Sequence, residues 1–255
     1  MQSILTKPAP DSDARLAYGT DPNQFGELYL PKATGPHPTM IVIHGGFWRA
    51  ANDLKHIGHL CKALSTEGVA CFSLEYRRLG NAGGGWTGTF DDIRAGAAFL
   101  ARNLGKYNLN PKRLGVTGHS AGGHLALWLA AEKVMPLKTV VSLAGVADLR
   151  RAYELKLNNN VVGELLGGGP AEHPDRYARS SPIERLPLKV FTRLIHGMKD
   201  QVVPIEISRR YEAAARKAGD DARLIPLPAT AHFELIDPGA IEYRLVSSTI
   251  RSGLL

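Results

Sequence analysis

Ser120 stands in the run Gly118-His119-Ser120-Ala121-Gly122, after an apolar stretch (Leu114, Val116) and before a helix-like run from Gly123 to Ala131. A serine framed by glycines at such a junction fits a sharp strand-to-helix turn, too tight for flanking side chains, that pushes the hydroxyl out at the carboxyl edge of a sheet. A serine hydroxyl is a poor nucleophile at neutral pH. It needs a base to take its proton and a third group to orient that base. The chemistry available to this residue is attack on a carbonyl carbon, with an acyl group passing through the serine.

The base must come from later in the chain, because in open α/β architectures the order is serine, acid, histidine. The histidines beyond Ser120 are His124, His173, His196 and His232. His232, in Ala229-Thr230-Ala231-His232-Phe233, lies between the last strand-like and last helix-like runs, where the base belongs. The bland reading is a surface loop histidine. His196 ends a strand-like run and reads as structural, positioning the loop that carries Asp200. His124, one turn past the serine, is expected to pack under the turn. Asp200 is the acid of choice, because its loop follows the penultimate strand and faces the last histidine loop. Asp148, after the preceding strand, is the competitor, with a helix cap as its bland reading. Glu234 and Asp237 share a loop with His232 and rank last, since residues there rarely approach the imidazole correctly.

A tetrahedral intermediate carries an oxyanion, and each preorganised donor to it is worth about 3–4 kcal/mol. One donor is expected from the backbone N–H of Ala121. The others are expected from Gly46 and Phe47 in His44-Gly45-Gly46-Phe47-Trp48, where two glycines let the backbone approach a substrate carbonyl. His44, Trp48, His119 and Trp86 are candidates for the pocket wall. The two tryptophans read equally as core, and His119 equally as a residue that shapes the turn. His56 and His59 sit one helical turn apart without further ligands in view, so no metal is expected and surface histidines are the simpler reading. Gly83-Gly84-Gly85 lacks the lysine of a phosphate loop and reads as a flexible loop near the site.

The elements that must hold these groups alternate. Arg15 to Tyr18 and Gly26 to Leu30 have the polar/apolar alternation of an antiparallel edge hairpin. Met40 to Ile43, Val69 to Leu74, Arg113 to Thr117, Thr139 to Leu143, Val190 to Ile195 and Ala222 to Leu227 read as strands. The helical runs are Leu54 to Thr66, Phe90 to Leu104, Gly123 to Ala131, Ile205 to Lys217 and Gly239 to Ser252. Such alternation with buried apolar strands gives a mostly parallel sheet of about eight strands, covered on both faces, with ligands bound at the strands' carboxyl ends. Residues 149–187 break the pattern with Asn158-Asn159-Asn160, Gly167-Gly168-Gly169 and four prolines, and are expected to form a small cap over the site.

Composition narrows the field. The 255 residues suffice for one α/β domain spanning the chain, and 44% hydrophobic with 22% charged residues is ordinary for a globular protein. The net charge of +7 raises the question of nucleic acid, but the basic residues are scattered, at most in pairs, with no aromatic platform among them. No run approaches a membrane span. The polar amino terminus, Met1 to Arg15, lacks the apolar core of a secretory signal, which points to the cytoplasm. Cys61 and Cys71 lie in apolar runs and read as buried thiols.

Taken together, His44-Gly45-Gly46-Phe47-Trp48, the run Gly118 to Ala126, His196-Gly197-x-x-Asp200 with Val203-Pro204, and His232-Phe233 resemble the α/β-hydrolase superfamily. The chain is most similar to its esterase/lipase-like group, which includes kynurenine formamidases and small acetyl and feruloyl esterases. Phe47 and His119 depart from the hormone-sensitive-lipase pattern, which carries a third glycine and usually an acid there. The His196-to-Pro204 run also resembles the catalytic domain of prolyl-oligopeptidase-type peptidases. The resemblance covers about Gly26 to Arg251. It implies hydrolysis of a small-molecule carboxylic ester, or of a related amide, by an acyl-enzyme route without a cofactor. Ser120, Asp200 and His232 fall in the triad positions. Neither nucleic acid nor membrane is implied as a partner, and a monomer or homodimer suffices.

Overall fold

The computed structural model describes residues 4–255; Met1–Ser3, the start of the polar amino-terminal run, lie outside the described residues. Eight strands form one sheet: β1 (Ala14–Ala17), β2 (Phe25–Tyr29), β3 (His37–Ile43), β4 (Ala70–Leu74), β5 (Leu109–His119), β6 (Thr139–Leu143), β7 (Phe191–Gly197) and β8 (Ala222–Leu227). Their spatial order is β1-β2-β4-β3-β5-β6-β7-β8. β1 pairs antiparallel with β2, and β2 antiparallel with β4; all later pairings are parallel. This is the α/β-hydrolase fold.

The central strands are apolar throughout because both faces are covered. Along β3, Ile41 and Ile43 join one buried cluster while Met40 and Val42 join the other, the two-residue period of a strand. Eight helices complete the layers: α1 (Gly58–Thr66), α2 (Gly88–Asn103), α3 (Ala121–Glu132), α4 (Leu149–Glu154), α5 (Leu157–Leu166), α6 (Pro174–Ser180), α7 (Glu206–Lys217) and α8 (Tyr243–Gly253). Helices α2, α3 and α7 pack on one face, α1 and α8 on the other. α3 differs from the rest. Ten of its twelve residues are buried, so it is apolar all round and fixes the turn at its head within the core.

The strand register brings the functional loops together. Ile43 lies opposite both Leu74 and Gly118, and His119 opposite Leu143, so β3 to β6 end at one level. The main boundary differences have local causes. The first helical run divides into a 3-10 turn, Leu54–Ile57, capped by the Asp53 side chain, and α1. β5 begins at Leu109 because His37 pairs there ahead of an irregularity in β3. The last helix starts at Tyr243, after a turn in which the Asp237 carboxylate accepts the Gly239 N–H.

Residues 149–187 form α4, α5 and α6. Asn158, Asn159 and Asn160 all have positive φ, a left-handed turn that asparagine tolerates better than most residues. The expectation that this insertion covers the site is corrected below.

Candidate active site

Ser120 occupies the turn between β5 and α3 with φ 56° and ψ −119°, a conformation held only because the surroundings over-determine it. Its N–H donates to the Leu143 carbonyl at 2.8 Å, and its own carbonyl accepts from His124 N–H at 3.1 Å. At Gly122 a Cβ would collide with the carbonyls of Ile43 and His44, so no larger residue fits this contact between α3 and β3. The serine also sits at the amino end of a twelve-residue helix, where the helix dipole favours developing negative charge.

Asp200 and His232 lie side by side. His232 Nδ1 lies 2.6 Å from Asp200 Oδ2, and both side chains are almost fully buried. Asp200 Oδ1 accepts the backbone N–H groups of Val202 and Val203 at 2.8 and 2.9 Å. His196 backs this loop. Its Nε2 donates to the Val203 carbonyl at 2.9 Å and lies 3.3 Å from Asp200 Oδ2, while its Nδ1 accepts from Ser208 Oγ at 2.8 Å. Burial pushes the Asp200 carboxyl up, but hydrogen bonds from His196 and His232 and the charge of His232 outweigh it and hold the group well below the usual carboxylate range. An ionised Asp200 fixes the proton of His232 on Nδ1 and leaves Nε2 bare to accept another. The two loops are tied by Lys199 N–H to the Thr230 carbonyl at 3.0 Å.

Ser120 and His232 line one small cavity of about 110 Å³ together with His119, Gly46 and Phe47. No hydrogen bond joins the Ser120 hydroxyl to His232 among the described residues; in unliganded serine hydrolases this contact is commonly loose. Along the loop after β3, Gly46, Phe47 and Trp48 have φ of 112°, 54° and 55°. At Gly46 a Cβ would run into the Asn52 side chain, so this position needs glycine twice over. The N–H groups of Gly46, Phe47 and Ala121 find no acceptor among the described residues. Those of Gly46 and Phe47 belong to residues lining the cavity, and that of Ala121 begins α3 beside Ser120.

The pocket-wall expectations divide. His119 does line the cavity and also braces it: its Nε2 lies 3.0 Å from the His232 carbonyl, and the two rings are 4.4 Å apart. Burial and the nearby His232 charge push its pKa well down, so it is a neutral donor. His44, Trp48 and Trp86 do not line the cavity. His44 is fully buried between Glu75 Oε1, 2.9 Å from its Nε2, and the stacked ring of Tyr76; it fixes the foot of the loop. Trp48 is core, donating Nε1–H to His124 Nδ1 at 3.2 Å. Trp86 is pinned elsewhere by its N–H on the Leu165 carbonyl and packs on Phe90, facing a separate depression with Arg94 and Trp128. Aromatic residues near a loop end were drawn into the core by the area they bury.

The insertion is also corrected. None of residues 149–187 lines the cavity. It packs beside α3 instead: Ser180 O accepts from His124 Nε2 at 2.9 Å, and Arg179 O from Trp128 Nε1 at 3.0 Å. Asp148 is a helix cap for Arg151 N–H and pairs with Arg210 at 2.8 Å, so it is not placed to serve His232. Asp237 pairs with Lys7. Gly83–Gly85 does not reach the cavity either.

Residues that the sequence did not single out complete the lining: Leu5, Asn52, Val202 and Phe233, with His56, which had read as a surface histidine. Burial and the neighbouring His44 lower the His56 pKa to about 4, so it too is neutral. Only Phe233, next to the base, carried a signal. Among the described residues no cluster of three or more His, Cys, Asp or Glu side chains is arranged to hold a metal ion, and no helix is long and apolar enough to cross a membrane. Cys61 and Cys71 are free and buried.

A family model described as BD-FAE matches residues 27–214. Esterase LipC of Mycobacterium tuberculosis is 25% identical over 248 residues, covering 88% of this chain and 60% of LipC. A probable isoprenylcysteine alpha-carbonyl methylesterase, ICMEL1 of Oryza sativa subsp. japonica, is 32% identical over 248 residues, covering 86% of this chain and 56% of its own length. The chain thus spans little more than half the length of these curated relatives. Among solved structures, inhibited esterase B from Lactobacillus rhamnosis superposes with a TM-score of 0.83 at 21% identity, covering 97% of this chain and 88% of the other.

Proposed function

From the premise that the chain belongs to the BD-FAE family, we propose that it is a serine carboxylesterase-type hydrolase that cleaves small carboxylic esters through an acyl-enzyme intermediate. The observation that carries this reading is the 2.6 Å contact between Asp200 and a histidine that shares a small cavity with Ser120.

Ser120 Oγ attacks the ester carbonyl as His232 Nε2 takes its proton. Asp200 keeps the other imidazole proton on Nδ1 and stabilises the imidazolium that forms. The N–H groups of Gly46, Phe47 and Ala121 receive the oxyanion. Donors held in place ahead of the reaction cost no reorganisation when the charge develops. His232 then hands its proton to the departing alkoxide. Water, activated by the same nitrogen, releases the acid and restores Ser120. The cavity of about 110 Å³ is well below the roughly 300 Å³ at which pockets for drug-sized ligands begin, which favours a short acyl group.

The test is hydrolysis of p-nitrophenyl acetate by the wild type and by Ser120→Ala, with an aryl formamide and a short aminoacyl amide alongside. Ester turnover that vanishes in the variant supports the assignment. Wild-type-like turnover in Ser120→Ala overturns it, and a marked preference for the formamide or the amide moves the substrate class while keeping the machinery.

A further inference from the structure

Residues 4–13, ahead of β1, form no helix or strand, yet they are tied down at several points. Ile4 is 4% exposed and belongs to the buried cluster that contains Ile57, Leu60, Leu235 and Ile236. Lys7 Nζ lies 3.3 and 3.4 Å from the two oxygens of Asp237, the residue that ends the short 3-10 turn after His232. Pro10 packs where a Gly58 side chain would project, and its carbonyl accepts from Tyr29 Oη at 3.4 Å. Asp13 accepts the Leu30 N–H at 2.7 Å. A strap therefore runs from the antiparallel edge of the sheet, past the start of α1, to the loop that carries His232. Between Ile4 and Lys7, Leu5 lines the cavity that holds Ser120.

Leu5 is 47% exposed, and Phe233, in the same cavity, is 37% exposed. Half of Leu5 faces solvent, and the other half borders a cavity whose remaining apolar walls among the described residues are Phe47, Val202 and Phe233. Those three stand on loops that also carry an oxyanion donor, the acid's turn and the base, so none can retreat without disturbing the catalytic geometry. Leu5 stands on the strap, which carries none of the proposed catalytic residues. The insertion at 149–187, the other segment outside the alternating pattern, contributes nothing to this wall.

We infer that Leu5 is the residue that sets the acyl-chain length this site accepts, as the wall of the acyl pocket that the strap contributes. The inference rests on the esterase reading above and adds to it a substrate class, short straight-chain acyl esters, and the side chain that imposes the limit. The physical basis is ordinary. Each methylene that a pocket wall admits or rejects changes the discrimination between substrates by about tenfold or more. A wall residue that is half exposed can be resized at little cost to the core.

The experiment compares kcat/KM for p-nitrophenyl acetate, butyrate, hexanoate and octanoate in four proteins: wild type, Leu5→Ala, Leu5→Trp and Lys7→Ala. Wild type should fall steeply beyond the short esters. Leu5→Ala should raise the hexanoate-to-acetate ratio about tenfold, and Leu5→Trp should lower the butyrate-to-acetate ratio by a similar factor. Lys7→Ala, which removes one anchor of the strap and leaves the wall residue in place, should move the ratio in the same direction as Leu5→Ala. Leu5 is half exposed, so thermal unfolding should change little, and the opposed signs of the two Leu5 variants exclude a folding defect as the cause. Ester turnover with one common chain-length profile in all four proteins overturns this inference alone. No ester turnover by the wild type overturns the esterase reading and this inference with it.

Discussion

His119 Nε2 lies 3.0 Å from the backbone carbonyl of His232, so the residue before Ser120 holds the loop that carries His232. The bond crosses from the end of β5 to the segment after β8, 113 residues later in the chain. It runs between a neutral imidazole and a carbonyl, so it positions the loop without adding charge next to His232. Removing the donor should let His232 drift relative to Ser120. His119→Leu is expected to lower kcat about 10- to 100-fold, because a displacement near 1 Å can cost that much, while KM changes far less. His119→Gln keeps an N–H donor of similar reach and should recover most of the loss. A fall in KM affinity with kcat preserved would show that the residue contacts substrate and does not act through His232.

Asp200→Asn keeps the shape of the acid but offers His232 the wrong tautomer, and a loss of about 10⁴ in kcat is expected. Asp148→Asn should leave kcat within about twofold, since its partners are Arg151 and Arg210, away from the cavity. Asp200→Asn also has a stability signature. A carboxyl held below its ordinary range stabilises the folded state at pH values above about 4, and that contribution is lost as the pH falls through the lower folded value. Urea unfolding between pH 6 and pH 3 should therefore show wild type losing stability faster than Asp200→Asn. Parallel curves would overturn the assignment of Asp200 as an ionised, hydrogen-bonded carboxylate.

Much of this arrangement was legible in the sequence because its logic is local. Gly122 is required by a backbone contact within a few residues of Ser120, and the apolar runs of β3 to β7 declare strands that are buried on both faces. The chain order of serine, acid and histidine then selects Asp200 and His232 from several candidates. What escaped was decided by tertiary packing. Trp48 and Trp86 have the residue type of a pocket wall, and only the fold shows that one ring seals His124 and the other faces a different depression. Leu5 and His56 reach the cavity through a strap with no periodicity and a single 3-10 turn. Residues 149–187 looked like a cover by their length and glycine content, yet their polar backbone groups are spent on α3, through Ser180 to His124 and Arg179 to Trp128.

Gly46 offers a sharper test of the proposed oxyanion loop than any side-chain deletion. Its φ of 112° is closed to residues with a Cβ, and the Asn52 side chain already fills the space that Cβ would take. Gly46→Ala must therefore move the backbone on which the N–H groups of Gly46 and Phe47 stand. A loss of one donor's worth of stabilisation corresponds to about 10²–10³ in kcat, and the backbone strain adds about 1–3 kcal/mol of instability. Combining Gly46→Ala with Asn52→Gly separates the two effects. The steric part should be relieved and the stability partly restored, while kcat stays low for as long as φ is displaced. Full activity in Gly46→Ala would show that the oxyanion is held elsewhere.

The last prediction concerns pH and the join between the nucleophile turn and the insertion. His124 is fully buried, accepts from Trp48 Nε1 and donates to the Ser180 carbonyl, and burial lowers its pKa to about 4. A histidine whose folded pKa lies below the ordinary value of about 6.5 binds its proton more readily when unfolded. Its contribution to stability is complete above pH 6.5 and is lost as the pH falls toward 4, at a limiting slope of about 1.4 kcal/mol per pH unit. His124→Gln keeps a donor for Ser180 but cannot titrate. It should be less stable than wild type at pH 7, and the gap should narrow by about 3 kcal/mol on going to pH 4. His56 and His119 titrate in both proteins and cancel from the difference. A gap that stays constant across this range in urea unfolding would mean that His124 is already solvated or protonated in the folded state, and the packing of the insertion against α3 would then have to be redrawn.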